Sequence, residues 1–267
     1  MYDFSQIIVD SLSILNIYDT IKIAPNAKIN IKPGGKLVVV DGVLKNLIDS
    51  IPWQGIIVEG TSTQSQMGVT PNQGIVILNG ATIENAICGV KVGDPLDPSK
   101  NGGIVYAYNT DFKNCKNGVS FAPYKNMNNN LEFANRSKFT DCDFIIDNDF
   151  NNTGLTFNSH VQLLGVNGIT FTGCRFTNSR TTYNPPAYRY ASSGISAFNS
   201  GFKVQPKCLS NLIPGEICTQ NDIDIESIFT GLDYGIVVQG CDNFYKISVL
   251  STKFISNLSV NIKFFSS

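Results

Sequence analysis

The fold of this chain is decided by a short repeated sequence motif, which we call the phrase. Its clearest copy is Val105-Tyr106-Ala107-Tyr108-Asn109-Thr110-Asp111-Phe112. Two apolar residues alternate with their neighbours, and a small residue then stands two positions before a large apolar one. Alternation of this kind places the apolar side chains on one face of a strand, and the gap before the small residue marks a bend. The phrase therefore predicts two short strands joined at a corner.

The phrase recurs along most of the chain. It occurs seven times between Val76 and Phe254, and its closing residues follow one another at intervals of 25 to 32 positions: Ile83, Phe112, Phe144, Phe176, Phe202, Phe229 and Phe254. This interval is typical of supersecondary units that stack on one another. No apolar stripe with helical spacing lies between the phrases. We predict an all-β chain that forms a single-stranded right-handed parallel β-helix of about nine coils, roughly 40 Å long at ~4.8 Å per strand.

The whole chain, 1–267, is expected to form one β-helix domain. Residues 1–20 are expected to be an N-terminal lead-in, 21–60 the first coils and 74–264 the regular coils. Residues 1–16 lack the basic start, apolar centre and cleavage site of a secretory signal. The last predicted strand has no polar covering segment, although a solenoid needs capped ends. The uncapped last strand predicts a fragment of a larger protein, with other domains of the same polypeptide as partners.

Composition argues against two classes of partner. Charged residues make up only 15% of the chain and the formal net charge is −1, so no basic surface predicts binding to nucleic acid. No apolar run reaches the ~20 residues of a membrane-spanning helix. We expect neither a nucleic-acid partner nor a membrane span.

Several stretches carry a family resemblance, which extends from about residue 21 to 254. The chain resembles secreted or cell-surface parallel β-helix proteins of the Bacteroidota that are passengers of the type IX secretion system. The resemblance implies a pectate-lyase-like coil, a place outside the cell or on its outer surface, and membership of multidomain proteins. It implies little about activity. The stretches are residues 25–39, Trp53-x-Gly55-Ile56-x-Val58-x-Gly60, Asn79-Gly80-Ala81-Thr82-Ile83-Glu84-Asn85-Ala86, Gly118-Val119-Ser120-Phe121-x-x-Tyr124, and Gly231-Leu232-x-Tyr234-Gly235-Ile236.

Asp111 and Asp143 occupy the same position of the repeat, and Arg175 occupies it in the next copy. In stacked coils their side chains would lie ~4.8 Å apart. Two carboxylates beside an arginine could bind Ca²⁺ or polarise a uronate, as in a calcium-dependent lyase, or serve an inverting hydrolase. The alternative, which we favour, is a solvated ladder of outward side chains.

Residues 180–193 interrupt the repeat and carry the ligand-binding candidates Tyr183, Tyr188, Arg189 and Tyr190. Aromatic rings stack on sugar faces and arginine pairs with carboxylates, so this loop predicts a glycan-binding edge. The favoured alternative is that the tyrosines pack over the neighbouring coil and hold the loop in place.

A second interruption, residues 205–221, carries Cys208 and Cys218. A disulfide between them is consistent with an exported protein, and two free thiols remain the equal alternative. Cys142 and Cys174 differ, because they occupy the small inward position of the phrase and are expected to fill space. His160, the single histidine, is expected to be a polar residue of a coil without a metal or catalytic role.

Together these features predict a non-catalytic structural or adhesive module, an adhesin-like rod that presents loops to a glycan or a surface partner. The alternative is a polysaccharide lyase or glycoside hydrolase acting on acidic polysaccharide. No cofactor is expected, except Ca²⁺ under the lyase alternative.

Overall fold

The computed structural model describes residues 5–68, 72–181, 192–209, 219–240, 245–257 and 260–265. In these residues the chain winds through eight complete coils of a right-handed parallel β-helix, and a further strand follows. The first four coils contain β1 (Gln6–Val9), β2 (Ile14–Ile17), β3 (Thr20–Ile23), β4 (Lys28–Ile31), β5 (Lys36–Val40), β6 (Val43–Asn46), β7 (Gly55–Val58), β8 (Ile75–Asn79), β9 (Thr82–Glu84), β10 (Cys88–Val92), β11 (Ile104–Tyr108) and β12 (Asp111–Lys113).

In the described residues of the later coils, two antiparallel hairpins interrupt the succession of parallel strands. These coils contain β13 (Asn117–Phe121), the hairpin β14 (Asn126–Asn128) and β15 (Leu131–Phe133), β16 (Lys138–Thr140), β17 (Asp143–Ile146), β18 (Ser159–Leu164), β19 (Asn167–Thr172), β20 (Arg175–Asn178), β21 (Ser193–Phe198), β22 (Gly201–Gln205), the hairpin β23 (Lys207–Cys208) and β24 (Ile223–Ile225), β25 (Ser227–Thr230), β26 (Tyr234–Gln239), β27 (Ile247–Val249), β28 (Thr252–Ile255) and β29 (Val260–Phe265). Three short 3₁₀ turns lie at Pro98–Lys100, Asn148–Thr153 and Gln220–Asp222.

The three strands of each coil belong to three parallel sheets. Sheet A has the order β1-β4-β7-β10-β13-β18-β21-β26-β29, sheet B has β2-β5-β8-β11-β16-β19-β22-β27, and sheet C has β3-β6-β9-β12-β17-β20-β25-β28. Each strand therefore pairs with the equivalent strand of the next coil, and equivalent residues form columns parallel to the axis of the helix.

A column of phenylalanine rings fills the interior beside sheet C. Phe112, Phe144, Phe176, Phe229 and Phe254 stack in succession, with centroid distances of 4.4 to 5.0 Å and interplanar angles of 9° to 14°. The first four rings are at most 1% exposed. Parallel pairing holds equivalent residues at the strand spacing of ~4.8 Å, which is close to the separation at which offset aromatic rings attract.

The bend between sheets B and C uses one residue with left-handed backbone in six coils: Asp41, Gly80, Asn109, Asp141, Gly173 and Ser251. The next residue is the small one of the phrase, and Ala81, Thr110, Cys142 and Cys174 are buried there. A side chain with no more than two or three heavy atoms fits beneath the bend. The expected corner is therefore confirmed.

The fifth phrase, which the repeat groups with the others, lies at a different corner of its coil. Phe202 lies in sheet B, where it pairs with Ile169 and Ile247, and Phe229 follows Phe176 directly in the ring column. The fifth and sixth phrases therefore belong to one coil that also contains the β23–β24 hairpin. In this coil the corner between sheets A and B has the same residue pattern as the bends between sheets B and C, because the small, buried Ser200 stands two positions before the Phe202 ring.

The β-helix also begins earlier than expected. Strands β1 to β3 form a complete coil within residues 6–23, and β1 pairs with β4 from Gln6 to Val9. Most of the segment expected as a lead-in therefore contributes the first coil. The alternation of apolar residues is weak here because the strands are only four residues long and few of their side chains are buried.

We predict that the substitution Phe144→Ala lowers the free energy of unfolding by about 3–5 kcal/mol, because it removes a ring packed between two others and leaves a cavity. Denaturant-induced unfolding monitored by circular dichroism measures the change. The control is Phe198→Ala, since Phe198 is 43% exposed. Equal losses in the two variants would contradict a ring column that stabilises the fold.

Candidate functional site

The predicted acidic column lies on the outer face of sheet C. Asp111 pairs in register with Asp143, and Asp143 pairs in register with Arg175. All three side chains are partly exposed. The shared repeat position therefore places these residues on neighbouring coils, as the sequence predicts.

Ion pairs occupy much of the acidic column. The Arg175 guanidinium binds both oxygens of Asp143, through Nε to Oδ1 and through Nη2 to Oδ2 at 2.7 Å. Its Nη1 lies 3.6 Å from Oδ1 of Asp141. Lys207 reaches the same Asp141 at 3.1 Å and Asp224 at 3.5 Å. Asp143 and Asp141 are thus engaged by cations, although Arg175 donates a hydrogen bond to Oδ2 of Asp143 alone and Oδ1 has only the close contact with Nε.

Asp111 differs from Asp143 in its environment. Partial burial raises the pKa of its carboxyl, the nearby Asp143 raises it further, and Arg175 and Lys113 oppose the change. A carboxyl with a raised pKa beside a second carboxylate is the kind of inequality that acid catalysts use. The same arrangement of two carboxylates and an arginine also arises where the arginine only stabilises stacked like charges and no catalysis takes place.

Metal binding finds little support in this part of the surface. Among the residues that the structure describes, no group of three or more His, Cys, Asp or Glu side chains is placed to hold a metal ion. Ca²⁺ takes six to eight oxygen ligands, and the Asp111–Asp143 pair offers few of them while Arg175 binds Asp143.

The other predicted site residues divide between described and undescribed segments. Tyr183, Tyr188, Arg189 and Tyr190 lie outside the described residues, and so does Cys218. Cys208 is disulfide-bonded. Its pairing with Cys218 stays a prediction.

The buried cysteines behave as apolar filler. Cys88, Cys115, Cys142 and Cys174 are free thiols inside the structure. Burial raises the pKa of Cys115 to about 12, and that of Cys142 also lies well above its usual value. A thiol reacts through its thiolate, so the raised pKa keeps Cys115 and Cys142 protonated and unreactive at neutral pH.

His160 is a buried residue of sheet A. It stands in register with Gly118 of the coil before and Gly194 of the coil after. At Gly118 a Cβ atom would come within 2.9 Å of the Phe144 ring. The sixth coil, which contains β18, instead has room for the His160 side chain, whose ring centroid lies 4.8 Å from that of Phe157.

The buried imidazole of His160 is held neutral. Its Nε2 lies 3.1 Å from the carbonyl oxygen of Thr177, which can only accept, so Nε2 carries the proton. Burial lowers the pKa of His160 to about 3, with a smaller contribution from the charge on Arg180 and against the opposing effect of the hydrogen bond to Thr177. The ring has no free edge for substrate and packs as part of the core.

A shallow groove that the sequence did not reveal crosses the outer face of sheet A. It has a volume of about 260 Å³, and we call it the sheet-A groove. Ser120, Gln162 and Ser196 stand in one column along its floor. Phe198 is 43% exposed at its side, and Lys91 lies at one end. The column could have been found from the repeat, but the groove also depends on Gly93 and Pro95 in the irregular loop that follows β10.

The sheet-A groove contains few groups that could carry out acid–base chemistry. No Asp, Glu, His or Cys is among its lining residues, all of which the structure describes. Its one titratable group, Lys91, lies 3.4 Å from Asp94. Hydroxyl and amide side chains next to an exposed aromatic ring suit a neutral polyhydroxylated ligand.

Comparisons with known proteins give little guidance. No protein-family model and no curated protein match the sequence. The solved structure of the Streptococcus pneumoniae surface protein and adhesin PfbA is 10% identical in sequence, and the alignment covers 94% of this chain and 91% of that one. Its TM-score of 0.15 is too low for the similarity to carry an argument. No helix in the described part of the chain has the length and hydropathy needed to cross a membrane.

We predict that His160 makes stability depend on pH. The unfolded state binds a proton near pH 6.5 and the folded state only near pH 3, so the free energy of unfolding falls as pH drops through this window. Relative to His160→Gln, which lacks the titration, the loss approaches ~1.4 kcal/mol per pH unit. Denaturant unfolding at a series of pH values measures the difference.

A direct readout is available because the chain has one histidine. The imidazole proton resonance of the folded protein should stay constant from pH 8 to 5, and it should titrate normally in denaturant. A folded-state midpoint near 6.5 would contradict the buried neutral ring.

Proposed function

We propose that this chain is a non-catalytic structural or adhesive module, a rigid β-helix that presents its lateral surface and its loops to a glycan or another surface partner. The sheet-A groove carries this proposal. It combines the exposed Phe198 ring with the Ser120, Gln162 and Ser196 column, and no carboxylate lines it. Glycoside hydrolysis ordinarily uses two carboxyl groups, so this groove is suited to holding a sugar chain rather than cleaving it.

Rigidity supports the adhesive role. A binding surface on packed strands stays in its bound geometry, so less conformational entropy is lost on binding. The floor of the groove lies on β13, β18 and β21, which are held between other strands of sheet A. A glycan would therefore meet a preformed surface.

The proposal includes a place outside the cell. The disulfide at Cys208 supports it, because disulfides persist in oxidising compartments and are rare in the cytosol. Export by the type IX secretion system of a Bacteroidota species rests on the sequence resemblance alone and is part of the same proposal.

We expect the purified protein to bind at least one neutral glycan on an array of immobilised neutral and acidic polysaccharides, and to leave the glycan intact. Phe198→Ala should weaken that binding about tenfold, because it removes the ring that faces the sugar. Phe133→Ala is the matched control, since Phe133 is also exposed but lies on the β14–β15 hairpin. Loss of binding in the control alone, or no binding to any glycan, would overturn the proposal.

The second candidate is a polysaccharide lyase or glycoside hydrolase that acts on acidic polysaccharide through Asp111, Asp143 and Arg175, with Ca²⁺ as cofactor in the lyase case. The raised pKa of Asp111 favours it. The ion pair between Arg175 and Asp143 weighs against it, because that arginine would have to release its partner to bind a uronate.

An activity assay separates the two candidates. We expect no new double bonds and no new reducing ends when the protein is incubated with polygalacturonate, with or without Ca²⁺. Activity that Asp111→Asn abolishes while the variant keeps its unfolding midpoint would establish the enzyme instead.

A further inference from the structure

The outer face of sheet B carries a second surface, which we call the sheet-B face. Its central column runs through Ile77, Tyr106, Lys138, Thr170 and Lys203, each in register with the next. Residues on either side of these positions in the strands are buried, so the column points away from the core.

A parallel column lies beside it, nearer sheet C. It runs through Asn79, Tyr108, Thr140, Thr172 and Gln205. Tyr108 is 49% exposed. The two columns thus offer a pair of tyrosines, followed along the axis by hydroxyl and amide groups.

The sheet-B face is positively charged. Strands β8, β11, β16, β19 and β22 contain no Asp or Glu. Lys138 and Lys203 form no ion pair with any described residue, whereas Lys207 at the edge is engaged by Asp141 and Asp224. At the opposite edge Glu132 accepts a hydrogen bond from Asn167. Two ammonium groups with no ion-pair partner among the described residues therefore stand on strands that carry no carboxylate, in a chain whose net charge is −1.

The two lysines are separated along the axis by one intervening strand, β19. At the spacing of parallel strands this is about 9.6 Å. A shallow depression of about 430 Å³ adjoins Lys138, with Tyr106, Tyr108 and Thr140 among its lining residues. The face therefore combines aromatic rings, hydroxyl groups and two lysines whose separation is close to the length of a disaccharide.

We propose that the sheet-B face binds an anionic polysaccharide that lies along the axis of the β-helix, with Lys138 and Lys203 contacting acidic groups on alternate sugars and Tyr106 and Tyr108 packing against a sugar ring. This assignment rests on the glycan-binding role proposed above and adds a second surface with its own ligand class. The acidic groups are carboxylates or sulfates, both of which an ammonium group binds.

An acidic peptide fits the face less well. Extended peptides bind proteins by pairing with a free sheet edge or by entering a groove. Strands β11, β16 and β19 are interior strands of sheet B, so they offer no free edge. A sugar chain needs only the side chains that the face provides.

The experiment measures binding of the full chain to polygalacturonate, dextran sulfate, uncharged dextran and polyglutamate by biolayer interferometry at low and at physiological salt. We expect binding to at least one anionic polysaccharide, weaker at higher salt, and no comparable binding to dextran at this face. Polygalacturonate and dextran sulfate distinguish carboxylate from sulfate.

The decisive variant is Lys138→Gln/Lys203→Gln, for which we expect about tenfold weaker binding to the anionic polysaccharide, the effect of losing two exposed ion pairs. Its matched control is Lys22→Gln/Lys45→Gln, which removes the same charge from neighbouring strands of sheet C. The control should bind as the unaltered protein does.

A register variant tests the spacing at constant charge. In Thr170→Lys/Lys203→Thr the second lysine moves one strand closer to Lys138, which halves their separation. We expect several-fold weaker binding. Tyr108→Ala should also weaken binding, and Tyr108→Phe should preserve most of it, because the ring face makes the contact.

Equal affinity of the Lys138→Gln/Lys203→Gln variant and its sheet-C control would overturn the assignment of this face. Tighter binding to polyglutamate than to either anionic polysaccharide would overturn the ligand class. In both cases neutral-glycan binding that depends on Phe198 would leave the proposed function standing, whereas failure of the unaltered protein to bind any glycan would remove both.

Discussion

Parallel stacking of successive coils is the constraint on which the rest of this structure depends. Register places each side chain beside its equivalent in the next coil at ~4.8 Å, so every interior position must hold a residue that packs well on its own kind. Phenylalanine meets this requirement in the column from Phe112 to Phe254 through offset stacking. Gly118, Gly194 and Gly235 meet it differently, because a Cβ atom there would collide with the rings of the same column. The phenylalanine column therefore requires these glycines, because their missing side chains leave the space that the rings occupy.

The same constraint governs charges on the outer surface. Equivalent positions bring like charges together, and stacked carboxylates such as Asp111 and Asp143 require a cation in the next coil. Arg175 supplies it for Asp143, and Lys113 lies between Glu84 and Asp147 in the same manner. Stacked acids in a β-helix are therefore weak evidence for catalysis, since the fold itself demands that they be paired. Buried His160 follows the corresponding rule for the interior, because it remains neutral and donates to a backbone carbonyl.

Much of the architecture is readable from the sequence because period and corner chemistry are local properties. The left-handed residue followed by a small buried one identifies a bend wherever it occurs, as at Asn109-Thr110 and Asp141-Cys142. It does not identify which of the three bends it is, and for that reason the repeat alone groups Phe202 with the residues of the ring column, although Phe202 belongs to sheet B. The acidic column followed from register alone. The sheet-A groove did not, because Pro95 and Phe198 come together only once the coils have formed.

A regular rod has consequences for what it can recognise. A globular pocket gathers a few groups around one small ligand, whereas stacked strands repeat a group at fixed intervals over a long distance. The partners best matched to such a surface are themselves periodic, because each further repeat adds a contact without requiring a new conformation. In sheet C the carboxylates of Asp141 and Asp143 are engaged by Arg175 and Lys207. The outer faces of sheets A and B carry hydroxyls, amides and exposed rings, and Lys138 and Lys203 on sheet B have no ion-pair partner among the described residues. Under the two proposals made above, recognition of a repeating polymer falls to these two faces, and the difference in charge between them assigns neutral chains to sheet A and anionic chains to sheet B.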